Sequence, residues 1–413
     1  MSPNLRIAFR FLTAKKRAMM MSLSCTILGV GLFIVTQATT SGFESFFIKT
    51  MIGSDGALRI VDRIQDTMRS MGVSGAAGIQ VRALEGVKYL EGIDEPRRII
   101  EAVNEFAGVL GVSAVLKGDV QISSSFKLER AQIFGIDLAQ HLRVSQLARK
   151  IVAGRLEDFG KSPSAALMGR VLADRLQLTV GDSFVINVRG ESRRYRVVAI
   201  FETGLRDIDR TRLYLDLVEA RSLLKKPTGA TFIQMNLDDP KRAPALAARM
   251  VEMLHHNVEP WQLREVEWLQ TFRALRISSA ITVTVFTLIA GLAMFNTLAM
   301  IVIEKTKDIA ILRSMGFERR DITQIFLWQA AIVLAFGAVG GALFGAAVTS
   351  AVEHVPLTIS TLFKTDHFLV EWNPWHYVEA IATAVVMVMI ASLVPARRAA
   401  RLEPGDIVRG TAQ

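Results

Sequence analysis

Cysteine is almost missing from this chain. Cys25 is the only one in 413 residues, so no disulfide framework holds the fold. A phosphate-wrapping loop of the form G-x-x-x-x-G-K-[ST] is missing too. Gly160-Lys161-Ser162 comes nearest, but Arg155 stands where the first glycine belongs and Gly154 is one residue out of register. No G-x-S-x-G and no H-E-x-x-H occurs. The adjacent pair His255-His256 would point about 100° apart on a helix, and no carboxylate or cysteine completes a metal-ligand spacing, so a solvated helix end is its reading. These absences argue against catalysis, a metal or a cofactor in this chain. Lysine and arginine are missing from four particular stretches, and there the sequence becomes informative.

Charged residues make up 21% of the chain, near the globular norm, yet 51% are hydrophobic and the mean hydropathy is +0.32. Polar and apolar residues are therefore segregated along the chain, which excludes a disordered or collagen-like protein and argues against an ordinary soluble enzyme. Four runs approach the ~20 residues needed to cross a bilayer as a helix. They begin near Ala18, Ser278, Ile322 and Tyr377. None contains Lys or Arg, each of which would cost at least about 2.5 kcal/mol at mid-bilayer. The first run is long and lacks a small-x-small cleavage site, and Cys25 has Ser22 three residues before it, so the run reads as a retained span, neither signal peptide nor lipobox.

Net charge is +10, and its placement separates a membrane surface from nucleic acid as the polyanionic neighbour. The segments before the first run, between the second and third, and after the fourth hold 14 cations against six acids, which leaves +8. Three short flanks carry the excess rather than one folded face, which points to positive-inside orientation and no nucleic acid. The predicted organisation is a cytoplasmic N-terminus 1–17, a span 18–40, an external α+β domain 41–276, a span 277–303, an internal loop 304–321, a span 322–352, a short external loop 353–376, a span 377–395 and a cytoplasmic tail 396–413.

Within the external domain, the patterns predict strands at Ala57–Val61, Ala131–Gly135 and Thr231–Leu237, and a hairpin joining Ser183–Val188 to Tyr195–Phe201. They predict helices at Arg97–Leu110, Ala165–Leu176, Asp216–Leu224 and Pro240–His255. Val266, Leu269, Phe272 and Leu275 keep helical spacing into the second span; such a helix either transmits movement or simply ends the domain. Residues 64–95 show no readable pattern.

The internal loop carries an amphipathic segment, Glu304 to Phe317. Ile311, Leu312 and Met315 fall near one face and Glu304, Lys307 and Asp308 near the other. Gly316 fits a helix stop, with Phe317 projecting beyond it. Two readings stand: an interfacial turn held by lipid, or a helix docking into a partner's groove. On the third span, Gly337, Gly341 and Gly345 form a tandem G-x-x-x-G stripe, which suits packing against the Ala-rich fourth span or, less favoured, a contact between subunits.

Ile303–Phe317 with the run up to Gln329 resembles the signature of FtsX/MacB-type permeases, above all the lipoprotein-releasing LolC/LolE family. Gly42-Phe43, Phe134-Gly135-Ile136-Asp137, Ile151 to Gly154, Met168-Gly169, Val180-Gly181-Asp182 and the closing Pro395 to Pro404 follow in the family's order. The resemblance covers most of the chain. It implies a permease subunit of an inner-membrane ABC transporter, with one span, a periplasmic domain and three further spans. It implies pairing with a second permease subunit, identical or a LolC/LolE-like paralogue, and with a separate ATPase dimer that holds the ATP and magnesium. Glu304, Lys305, Asp308, Ile311, Leu312, Arg313, Met315, Gly316 and Phe317 would then form the coupling helix. The cargo's acyl chains would sit between the first and second spans of the two subunits, where position and bulk suggest Leu32, Phe33, Val285, Phe286, Ile289 and Phe295. A periplasmic lipoprotein carrier is the remaining partner implied. The turn Arg189–Arg193 is too short for the protruding hairpin of LolC-like members, which points to a LolE-like subunit or another acceptor. The rival functions are MacB-like efflux of an amphiphile or peptide and FtsX-like signalling to a periplasmic hydrolase.

Overall fold

The computed structural model describes residues 3–14, 16–62, 92–125, 127–356 and 367–401. Residues 64–91, Lys15, Lys364 and the tail from Leu402 onward, on which some of the readings above fall, lie outside the described residues. The chain divides into two units, one of them formed by the long apolar helices and the other by most of the residues between the first and second spans.

Among the described residues, four helices are long and apolar enough to cross a membrane. They are Lys16–Asp55, Val266–Glu304, Arg319–Glu353 and Pro374–Ala400, each extending beyond its apolar run. Their shared core includes Val30, Ile34, Met294, Leu298, Phe326, Val333, Ala384 and Val388. The glycine stripe packs inside the subunit, but against the first span rather than the fourth. A Cβ added at Gly337 would stand 2.6 Å from Thr26 Cγ2, one at Gly341 2.6 Å from Val30 Cβ, and one at Gly345 3.0 Å from Ile34 Cβ. Both helices advance by four residues per contact in the same sense, so the first and third spans run parallel. Small residues permit this approach where lipid offers no hydrophobic drive. The first and second spans run antiparallel, with Ser22 Oγ 3.6 Å from Met294 Sδ and Gly29 beside Ala290 and the Phe286 carbonyl.

The described residues of the soluble unit form ten strands: β1 Leu58–Val61, β2 Val109–Ser123, β3 Leu128–Ile136, β4 Ile151–Gly154, β5 Ala165–Gly169, β6 Ser183–Val188, β7 Glu191–Phe201, β8 Arg212–Asp216, β9 Phe232–Leu237 and β10 Asn257–Pro260. The 15-residue β2 is its organising element. Its Val115–Ser123 stretch pairs with β3, its first half with β9, and its last three residues with β6. Six strands thereby close on themselves in the order β2-β3-β8-β5-β7-β6. Ile122, Ile133, Met168, Phe184, Ile186, Val197 and Leu213 fill this barrel. A second core lies under β9, β1 and β10, where Val103, Ala247 and Met250 from two helices meet Leu58, Ile60, Ile233 and Val258.

Several elements differ from the sequence patterns. The helix expected at 97–110 runs Pro96–Asn104; Gly108 at φ +95° turns the chain, and Leu110 belongs to β2, exposed. The helix expected at 165–176 is strand β5 followed by a helix Arg170–Leu176. Gly169 marks the change, because any side chain there would press on the Asp209 carbonyl. The helix expected at 240–255 is a short 3-10 turn Pro240–Arg242 and a helix Ala243–Leu254, closed by His255 at φ +53°. The β6–β7 hairpin turns on Arg189 and Gly190 alone, both at positive φ.

A buried polar cluster fastens the soluble unit. Arg212 on β8 donates to both carboxylate oxygens of Asp55, at 2.8 and 3.2 Å, and its guanidinium lies 4.2 Å from the centre of the Phe134 ring. Such a pair specifies geometry more than it adds stability, since desolvating both charges offsets most of their attraction. His141 packs beside Tyr214 with Nδ1 3.0 Å from Gln234 Nε2; burial first, and then the Arg212 charge, pull its pKa down to about 3.

Candidate functional site

The second-span helix ends at Glu304, and a short helix Thr306–Ser314 begins after a one-residue break at Lys305. Thr306 Oγ1 reaches back to the carbonyls of Val302 and Ile303 at 2.9 and 2.7 Å, which closes the preceding turn. Lys305 Nζ meets Asp308 Oδ2 at 2.7 Å and lies 5.5 Å from the Phe11 ring centre. At the far end Gly316, φ +98°, donates to the Arg313 carbonyl at 3.2 Å, and Phe317 N–H donates to the Leu312 carbonyl at 3.2 Å. This is a Schellman closure, completed by the apolar pair Leu312 and Phe317, both of which pack on the membrane-helix core. Arg313 Nη1 donates to the Ala400 carbonyl at 2.9 Å, tying the elbow to the last turn of the fourth span.

The apolar residues of this elbow part company. Ile309 and Ala310 are buried and Leu312 turns inward with them, so Leu312 does not share the open face expected for it. Ile311 and Met315, four residues apart, are 59% and 72% exposed and share their face with Lys307, which lies four residues before Ile311 and not on the opposite face expected for it. The elbow is thus a short, doubly anchored helix that presents two large apolar side chains outward. The inward-facing Ile309 was not singled out in the sequence, although its four-residue spacing from Arg313 places it on that face.

The six residues suggested for an acyl-chain cavity separate by depth. Phe33 is only 9% exposed and belongs to the four-helix core, so it does not line an open cavity. Val285, Phe286 and Ile289 are exposed on the second span, while Leu32 and Phe295 are half-buried. His256 Nδ1 sits 2.9 Å from the Leu254 carbonyl at the end of its helix.

Residues 19–253 match the MacB-like periplasmic core domain, and residues 280–404 match the FtsX-like permease C-terminal region. The chain belongs to the FtsX/MacB-like permease family. Among relatives of this permease, the lipoprotein-releasing system transmembrane protein LolC of Xylella fastidiosa is 24% identical over 98% of both chains. LolE of Haemophilus influenzae is 25% identical over 73% of this chain and 77% of its own length. The uncharacterized ABC transporter permease YknZ of Bacillus subtilis is 23% identical, again over 98% of both. The permease is therefore a multi-pass membrane protein of the ABC transporter class, with its α/β core domain between the first and second spans.

Proposed function

We propose that this permease sits in the bacterial inner membrane with both termini cytoplasmic and works as one half of a lipoprotein-releasing ABC transporter. A separate ATPase dimer binds ATP and magnesium and docks on the elbow. A second permease subunit, identical or LolC/LolE-like, completes the membrane part. Lipoprotein acyl chains enter beside the first two spans, contacting Val285, Phe286 and Ile289, with Leu32 and Phe295 at the margin. A periplasmic carrier receives the cargo. The relatives named for lipoprotein release support the cargo. The observation that carries the coupling is the pair Ile311 and Met315, held outward on a helix fixed at both ends. A few desolvated apolar anchors supply most of an interface's binding energy, about 2 kcal/mol or more apiece.

The test is ATPase stimulation by the reconstituted permease. Ile311→Asp with Met315→Asp is expected to lower it by about tenfold or more, as the loss of two such anchors requires. The circular dichroism of the external domain is expected to stay intact. Stimulation equal to wild type overturns the assignment. Lipidated protein and a soluble carrier recovered with the complex from native membrane support the cargo, and recovery of a cell-wall hydrolase instead overturns it.

A further inference from the structure

A concavity at one end of the membrane helices has no part in the coupling scheme. Arg319, Arg320, Thr323 and Gln324, at the start of the third span, and Arg397 and Arg401, at the end of the fourth, line a cavity of about 370 Å³. The two helices run antiparallel, so these ends share one membrane face. All four arginines are exposed, and among the described residues no acidic side chain lines the cavity. Asp321, between these residues on the same helix, accepts the Glu318 N–H at 3.0 Å and does not line the cavity.

What lies inward of these arginines is apolar. Gln324 and Trp328 follow Arg320 at successive four-residue steps on the same helix face, and Trp328 is 44% exposed. On the fourth span Val394 and Ile390 are exposed, about one and two turns before Arg397. Tryptophan in this position marks the interfacial level of a bilayer. The surface therefore has a basic mouth above two apolar strips, a shape that complements a phosphate-bearing head with hydrocarbon below it. A free phosphate would engage the guanidiniums and leave both strips unused.

We infer that this cavity binds the phosphate headgroup of an anionic phospholipid. Planar guanidiniums suit bidentate contact with phosphate oxygens, and basic pockets between spans are places where such headgroups lodge. The elbow's anchor is adjacent, because the carbonyl that receives Arg313 belongs to Ala400, next to Arg401. The bound lipid thus braces the end of the fourth span beside the coupling helix, away from the face of Ile311 and Met315.

The purified full chain in mild detergent, titrated with phosphatidylglycerol and separately with phosphatidylcholine, is to be followed by native mass spectrometry. Wild type is expected to retain one phosphatidylglycerol preferentially, and Arg320→Gln/Arg397→Gln/Arg401→Gln to bind it about a hundredfold more weakly, at about 1 kcal/mol per cation lost. Arg398→Gln, on the same turn but outside the cavity lining, is expected to bind as wild type, and unfolding temperatures report whether each variant is folded. Equal binding of the two lipids, retention of lipid by the folded triple variant, or displacement of phosphatidylglycerol by equimolar inorganic phosphate overturns the inference. So does a triple variant that holds lipid normally and loses only the ATPase, which would make the arginines a protein-docking surface.

Discussion

Adjacent glycines on the third span differ sharply in what they tolerate. A Cβ at Gly341 would meet Val30 Cβ at 2.6 Å and the Ile27 carbonyl oxygen at 3.0 Å, a branched carbon and a backbone atom that have nowhere to go. One at Gly340 would meet only the Ile27 Cδ1 and Cγ1 atoms, at 3.0 and 3.1 Å, toward the far end of a flexible side chain. Gly341→Ala is therefore expected to destabilise the chain by about 1–3 kcal/mol through overpacking, and Gly340→Ala by under about 1 kcal/mol. Thermal unfolding of the two variants in one detergent ranks them, and equal losses would refute the parallel contact between first and third spans. His141 sets a second residue-scale expectation. Its pKa in the fold, about 3, lies below the usual 6.5, so the unfolded chain binds the extra proton between those values. Stability is then full above pH 6.5 and falls as pH drops through that window, by about 2 kcal/mol at pH 5. Unfolding measured across pH 5–7 should show this slope, and His141→Asn should remove His141's share of it.

The elements most legible in the sequence were the spans, because an uncharged run of sufficient length leaves an α-helix as the solution available to a single chain in lipid. The closure of the elbow was legible for a similar local reason: Gly316 takes a backbone angle that other residues avoid, and Phe317 follows with the apolar contact. Which face of the elbow opens was not legible. Ile311 and Leu312 are neighbours in a three-residue apolar set, and the packing of Ile309 and Ala310 on other helices decides between them. Strand β2 is not legible as a strand, because it pairs with three partners along its length and its Gly111, Gly118, Lys117 and Asp119 break any clean alternation. Ala165–Gly169 looked helical because five small or flexible residues carry little β signal, and only a central place in the sheet makes them a strand. The helix Val266–Glu304, by contrast, was legible as continuous and is so. If it works as a rod, inserting Gly-Gly after Arg273 should leave ATPase stimulation at the elbow largely unchanged while the proposed release of lipoprotein falls by about tenfold or more, because glycine weakens a helix interior. Release at the wild-type rate would mean that the helix only closes the domain.

Across the whole molecule, charge and packing address sidedness separately. Parallel packing of the first and third spans, through Gly337, Gly341 and Gly345 against Thr26, Val30 and Ile34, means that the segments before both begin on one face. The antiparallel second span returns the elbow to that face, and the fourth span ends there, where Arg313 meets the Ala400 carbonyl. Geometry thus gathers the basic segments on a single side without any appeal to charge, and the proposed orientation, which rests on the positive-inside tendency, puts that side in the cytoplasm. The two arguments can be tested together in a Cys25→Ser background. Lys127→Cys, exposed between β2 and β3, is expected to react with a membrane-impermeant maleimide on intact spheroplasts, and Arg398→Cys only after the membrane is opened. Labelling in the opposite order would invert the chain in the membrane and remove the elbow from reach of cytosolic nucleotide. Labelling of both sites on intact spheroplasts would contradict the packing of the spans itself.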